Sequence, residues 1–236
     1  MSRPPLTPRQ AMILTQVVDA YIRSGHPIGS KALVEGGAID ASASTVRYEL
    51  AELEARGLLG HPHTSAGRVP TDAGYRLYAE ELLEQPLGAV DPLPVALSTV
   101  RSEVDTALRP AFTELVWEGQ QGLYVGGAAR LVDEMRFSDL DQINDLVHVL
   151  ESRVGVLAML REALESPRPY LRIGSDHTVP YMRGLAMVAA NYGLATRNLG
   201  TVSLVGPMRM DYAVAIRSVR SAAHSLSEWV ADIYEE

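Results

Sequence analysis

The sequence predicts an α+β protein built in two parts, a winged helix-turn-helix domain over residues 1–84 and a second α+β domain over 95–236. Three observations carry that expectation. Residues 6–83 read in order as three capped helices, a short hairpin and a fourth helix. The stretch QPLGAVDPLP, 85–94, holds three prolines, whose fixed φ and missing N–H suit a linker. Towards the C-terminus, three short apolar runs bounded by glycines precede one long helical pattern, which fits a small antiparallel sheet closed by a helix.

Helix 1 opens in LTPRQAM, where Thr7 is the N-cap, Pro8 fills the first helical position and Gln10 completes a capping box. Leu14, Val17, Val18 and Tyr21 recur at i, i+3, i+4 and i+7, giving one buried stripe, and Gly25 followed by Pro27 ends the helix. Ser30 is expected to cap a short second helix, SKALVE. After the Gly36-Gly37 turn, Ser42 opens a third, in which Val46, Leu50 and Leu53 point to the core and which Gly57 stops. Leu58-Leu59 and Val69-Pro70 then flank HPHTSAGR as the strands of a hairpin with an exposed tip, and Thr71 caps the fourth helix. Beyond the linker, Leu97, Val100, Val104 and Leu108 lie at helical spacing. A further helix is opened by Ser138 with Asp139 and Asp141 in its first turn, and another falls near 154–164. PYLRIG, GLAMVAANYG and LGTVSLVG read as strands, and a helix from about Asp211 to Ile233 closes the chain.

Composition narrows the function. With 47% hydrophobic and 21% charged residues the chain is ordinary for a globular protein, and no apolar run approaches the roughly 20 residues that span a bilayer. The start MSRPPLTPRQ has no apolar core after its basic residue, so no secretory signal is expected and the cytoplasm is the default location. The absence of cysteine excludes disulfides, thiol nucleophiles and cysteine-ligated zinc. The net charge of −8 is uneven: residues 1–83 carry 8 basic and 9 acidic side chains, 84–236 carry 13 and 20. A nucleic-acid role therefore falls to the near-neutral N-terminal part, where basic groups have to be placed locally.

The third helix offers such placement. With Val46, Leu50 and Leu53 fixing its buried face, Ser44, Thr45, Tyr48 and Glu52 come out opposite, with Arg47 at the flank. Hydroxyls, a phenol and a guanidinium can bond base edges and phosphate oxygens, and the helix N-terminus adds free N–H donors. No acid stands in the first turn; Glu49 and Glu52 lie a turn later, where the helix leaves a groove. In the hairpin, Thr64, Ser65, Ala66 and Gly67 form the tip, with His63 and Arg68 at its base, able to reach phosphates or the minor groove.

GSKALVE, TVRYELAELEARGLL and above all PHTSAGRVPTDAGYRLY resemble the N-terminal domain of the HrcA heat-inducible transcription repressors, over nearly all of 6–83. LRIGSDHT and LVGPMRMDYAVAI are similar to the end of that family's C-terminal GAF-like domain. The resemblance implies a truncated GAF-like second domain and a homodimer on an inverted-repeat operator of the CIRCE type ahead of chaperone operons. It also implies release on heating, with the chaperonin as modulator. It carries Ser44, Thr45, Arg47 and Tyr48 over as recognition-helix contacts, Tyr48 standing where a small polar residue is usual, and Thr64, Ser65, Gly67 and Arg68 as the wing. The chain is shorter than usual members. The missing part corresponds to the start of the GAF-like domain and the inserted dimerisation region, replaced here by 85–122. A helix at 95–116 together with the last helix is the expected dimer interface.

Other motifs carry less. His61 and His63 at i, i+2 could share a metal, but no third ligand is evident and none is expected. His26, His148, His177 and His224 are scattered. Ser, Asp and His in LRIGSDH are consecutive and cannot form a nucleophile, base and orienter, so no enzyme activity and no cofactor are expected. GPMRMDY reads as a turn into the last helix. Two rival functions stand beside the main reading: a ligand-sensing repressor of another regulon, and a chaperonin-linked interaction module with weak DNA binding.

Overall fold

The computed structural model describes residues 5–37, 39–62, 67–85, 160–166, 169–177 and 182–235. The expected helices at 95–116 and at Ser138, and the linker beyond Gln85, lie outside the described residues, as does the hairpin tip 63–66.

Thr7 starts helix α1 (Pro8–Ser24) through the capping box: its hydroxyl accepts the Gln10 N–H and the Gln10 amide oxygen accepts the Thr7 N–H, both at 3.2 Å. Ile13, Leu14, Val17 and Val18 are buried, and Gly25 ends the helix in the left-handed conformation. Helix α2 (Ser30–Glu35) differs from expectation by one residue, because Gly29, not Ser30, occupies the N-cap and Ser30 is buried in the first turn. The reason is tertiary: Ile28 is tied to Arg68 by two backbone hydrogen bonds of 2.8 Å, which keep the chain extended up to Gly29. Helix α3 (Ala43–Ala55) starts at the Ser42 cap and buries Val46, Leu50 and Leu53. It stops in a Schellman arrangement, with Leu58 N–H on the Leu53 carbonyl at 3.0 Å, Gly57 N–H on the Glu54 carbonyl at 2.8 Å, and Gly57 at φ 76°.

Strands β1 (Leu59–Gly60) and β2 (Val69–Pro70) pair antiparallel, Leu59 opposite Pro70. The Ile28 bridge to Arg68 gives this hairpin a third extended segment that its own residues do not announce. Thr71 caps α4 (Asp72–Glu84), its hydroxyl accepting the Gly74 N–H at 3.2 Å while donating to the Gly57 carbonyl at 2.7 Å.

In the C-terminal part, β3 (Tyr170–Ile173), β4 (Leu185–Leu194) and β5 (Arg197–Pro207) form an antiparallel sheet in that order. Alternation sets its two faces. Ile173, Ala186 and Val188 pack towards helix α5 (Tyr212–Glu235), whereas Met187 and Ala189 pack on Ala163 in the helical residues 160–165. All three predicted strands and the closing helix are present, and the chain is α+β.

The two parts share one continuous core, in which α4 faces β3 and α5. Tyr75 and Tyr78 from α4 pack on Tyr212, with ring centroids 5.7 and 6.3 Å apart, and the Tyr212 hydroxyl donates to the Met208 carbonyl at 2.8 Å. Burial pushes all three phenols well above the usual tyrosine range, so they are neutral. Around the rings, Asp72 Oδ2 accepts the Ser175 N–H at 2.8 Å, Arg76 pairs with Asp176, and Arg220 donates to the Gln85 carbonyl at 3.0 Å. Within LRIGSDH, Ser175 thus meets this seam through its backbone N–H and Asp176 through its carboxylate, which also accepts the Ile173 N–H at 3.1 Å, while His177 is 5% exposed. The GPMRMDY turn ends beside the other part too, with the Arg209 guanidinium against Gly25, at the carbonyl end of α1.

Candidate nucleic-acid interface

Helix α3 presents its first turns to solvent. Ser44 and Arg47 are exposed, Thr45 is partly so, and Tyr48 has 65% of its surface open, the most exposed of the large apolar or aromatic side chains described. None of the four packs inside, because the buried stripe Val46, Leu50 and Leu53 turns them outward.

Their hydroxyls form a small cluster at the helix N-terminus. Ser42 Oγ lies 2.8 Å from Ser44 Oγ and 2.9 Å from Thr45 Oγ1, and it accepts the Thr45 N–H at 3.2 Å. Ser42 Oγ thereby uses its one donor and two acceptor sites, while the Ser44 and Thr45 hydroxyls keep bonding capacity. Of the acids on α3, Glu49 is turned away from this surface, while Glu52 stays partly exposed one turn beyond Tyr48. Glu49, 13% exposed at its side chain, is drawn to α1, where Gln10 Nε2 donates to it at 3.0 Å and Arg9 lies at 4.0 Å. The outer face of α3 thereby combines a helix N-terminus, two hydroxyls, a free-standing phenol and a guanidinium.

The hairpin gives a different picture. His63, Thr64 and Ser65 lie outside the described residues. Gly67 and Arg68 are described, and both face inward. A Cβ at Gly67 would overlap the Ile28 backbone, so this position is glycine because another backbone passes against it. The Arg68 side chain, 17% exposed, places Nη2 at 2.8 Å from Glu54 Oε2 and Nη1 at 3.1 Å from His61 Nδ1. His61 Nε2 is 3.4 Å from Glu54 Oε1. Sequence reasoning singled out Arg68 and Gly67 for DNA and passed over Glu54, Ile28 and, except as a metal ligand, His61. The signal that links them, opposite charges fourteen residues apart, acquires meaning only once the hairpin register is known.

No cluster of three or more His, Cys, Asp or Glu able to hold a metal occurs among the described residues. Nor is any described helix long and apolar enough to cross a membrane.

Comparison with known proteins places these elements in context. Residues 79–216 match the family model of the HrcA protein C-terminal domain. The heat-inducible transcription repressor HrcA of Halalkalibacterium halodurans is 24% identical, the match covering 98% of this chain and 99% of the relative. That alignment runs over 343 positions against 236 residues here, so a long stretch of the relative has no counterpart. The HrcA of Thermomicrobium roseum is 38% identical over 168 residues, covering 70% of this chain and 48% of the relative. A crystal structure described as that of a hypothetical protein superposes with a TM-score of 0.70 over 97% of this chain and 99% of that one, at 18% identity. That last likeness speaks for the fold alone.

Proposed function

The chain belongs to the HrcA family, and from that premise we propose that it represses heat-shock transcription by binding an inverted-repeat, CIRCE-type operator as a homodimer. In this reading residues 1–84 form a winged helix-turn-helix domain, with α3 as recognition helix and the β1–β2 hairpin as wing. Residues 85–94 link it to a shortened GAF-like domain over 95–236. The observation that carries it is the outer face of α3, where Ser44, Arg47 and Tyr48 stand open and Thr45 partly so, at a helix N-terminus whose first turn holds no acid.

The geometry fits a major groove. Hydroxyls and phenol reach base edges, Arg47 reaches a guanine edge or a phosphate, and the first-turn N–H groups favour an anion. Thr64 and Ser65 at the wing tip, with His63 at its base, are assigned to the adjacent sugar-phosphate chain. A two-fold dimer sets two such helices on half-sites separated by about one 10–10.5 bp turn or a multiple of it. Repression follows sterically, from occupation of the operator.

Release on heating requires no ligand. A fold held by about 5–15 kcal/mol loses its native fraction over a modest temperature rise, and the dimer goes with it. The chaperonin enters as a modulator of the folded fraction, a role supported by the family resemblance. Fluorescence anisotropy with a labelled CIRCE-type duplex and a scrambled control tests the reading. Specific binding is expected, with four to six phosphate contacts per dimer giving a log–log salt slope of roughly −4 to −5, and Arg47→Ala weakening it. Equal affinity for both duplexes would refute it.

A further inference from the structure

Glu54 sits in the last turn of α3, yet its carboxylate points along the protein surface into the hairpin. The three groups close a triangle: Arg68 Nη2 to Glu54 Oε2 at 2.8 Å, Arg68 Nη1 to His61 Nδ1 at 3.1 Å, and His61 Nε2 to Glu54 Oε1 at 3.4 Å. The His61 ring bridges the other two, its Nδ1 turned to Arg68 and its Nε2 to Glu54. The triangle joins the end of α3 to the chain leaving β1 and the chain entering β2. It stands on a backbone already fixed, since Arg68 exchanges two hydrogen bonds of 2.8 Å with Ile28 and Gly67 lies flat on the same segment.

Arg68 is therefore a committed cation. To grip a phosphate it would leave its 2.8 Å ion pair with a carboxylate and its contact with an imidazole, and would leave Glu54 beside a polyanion without its cation. We infer that Glu54, His61 and Arg68 form a brace that sets the wing at a fixed distance and angle from α3, with Glu54 a positioning residue for operator recognition and Arg68 acting on DNA only through that placement. The inference rests on the DNA-binding reading above and adds to it which groups hold the reading head together. Direct phosphate contact is left to Arg47, the helix N-terminus and the wing tip.

The two roles available to Arg68 predict opposite signs for one near-isosteric change. If Arg68 were a phosphate ligand, Glu54→Gln would release a cation and remove an anion, so binding would tighten and the salt slope steepen. If the brace holds, Glu54→Gln lets the wing swing and binding weakens by roughly tenfold or more, the scale of one lost charge-assisted contact, with the slope unchanged. Arg68→Gln gives a second reading: the brace predicts weaker binding at constant slope, whereas a phosphate ligand predicts a slope shallower by about 0.9 per protomer. Both variants of the full chain are measured by anisotropy on the CIRCE-type duplex between 50 and about 200 mM salt, with circular-dichroism melting to show that they fold. Tighter binding by Glu54→Gln, or a shallower slope in Arg68→Gln, while the wild type binds specifically, would overturn the brace and leave the repressor reading intact. A wild type indifferent to the repeat would overturn both.

Discussion

Asp72→Ala is expected to loosen the seam that holds the helical part on the sheet. Asp72 is the first residue of α4, where its charge faces the positive end of the helix, and its Oδ2 accepts the Ser175 N–H at 2.8 Å across the seam. A hydrogen bond to a charged group contributes about 1.5–3 kcal/mol and a carboxylate at a helix N-terminus about 0.3–1 kcal/mol. Because this carboxylate is only partly shielded from water, the low end of each applies, and the loss should be about 2 kcal/mol. For a chain of this size that lowers the melting midpoint by roughly 4–8 °C. Asp72→Asn, which keeps an acceptor oxygen and drops the charge, should fall between the alanine variant and wild type. The assay is circular-dichroism melting, run beside the temperature at which the labelled operator is released. Both midpoints should move together if heat release is loss of the folded state. An Asp72→Ala protein that melts within a degree of wild type would show that the seam contributes nothing. A lowered melting point with unchanged release temperature would separate sensing from stability.

Three further outcomes are expected. Burial holds the His177 imidazole below its ordinary value, with a bond to the Leu185 backbone opposing the shift. The unfolded chain then binds more protons than the folded one just below about pH 6.5, so His177 costs nothing above that pH and lowers stability as pH falls through it. Urea midpoints at acid and neutral pH should draw closer in His177→Gln than in wild type, and an unaltered gap would refute the assignment. Leu53→Ala empties a fully buried site on helix α3 and should cost about 2–5 kcal/mol, read as a lower urea midpoint with operator affinity lost in parallel. Tyr48→Ala, at an exposed position, should leave stability within about 0.5 kcal/mol while changing discrimination among operator variants by about 1–3 kcal/mol at the base it meets. A change in melting without a change in discrimination would remove Tyr48 from the interface.

What this sequence determined unaided is local. Thr7 with Gln10, Ser42 with Thr45 and Thr71 with Gly74 each act over three residues, so the caps and helix starts were legible, as were the buried stripe of α3 and, from it, the outward face carrying Ser44, Thr45, Arg47 and Tyr48. The apolar runs of β3, β4 and β5 were legible for the same reason, because glycines near their ends mark them off locally. What only the tertiary structure decided is which distant group each polar side chain meets. Ile28 had to lie beside Arg68 before Gly67 could be understood as a packing requirement, and before Ser30 could be seen inside its helix and not at the cap. The hairpin register had to form before Arg68 could face Glu54 at 2.8 Å. Asp72 and Ser175, 103 residues apart, meet because α4 packs on the sheet. A charge fixes that a partner is needed, since burying it alone is costly, but the choice of partner belongs to the packing that brings two segments together.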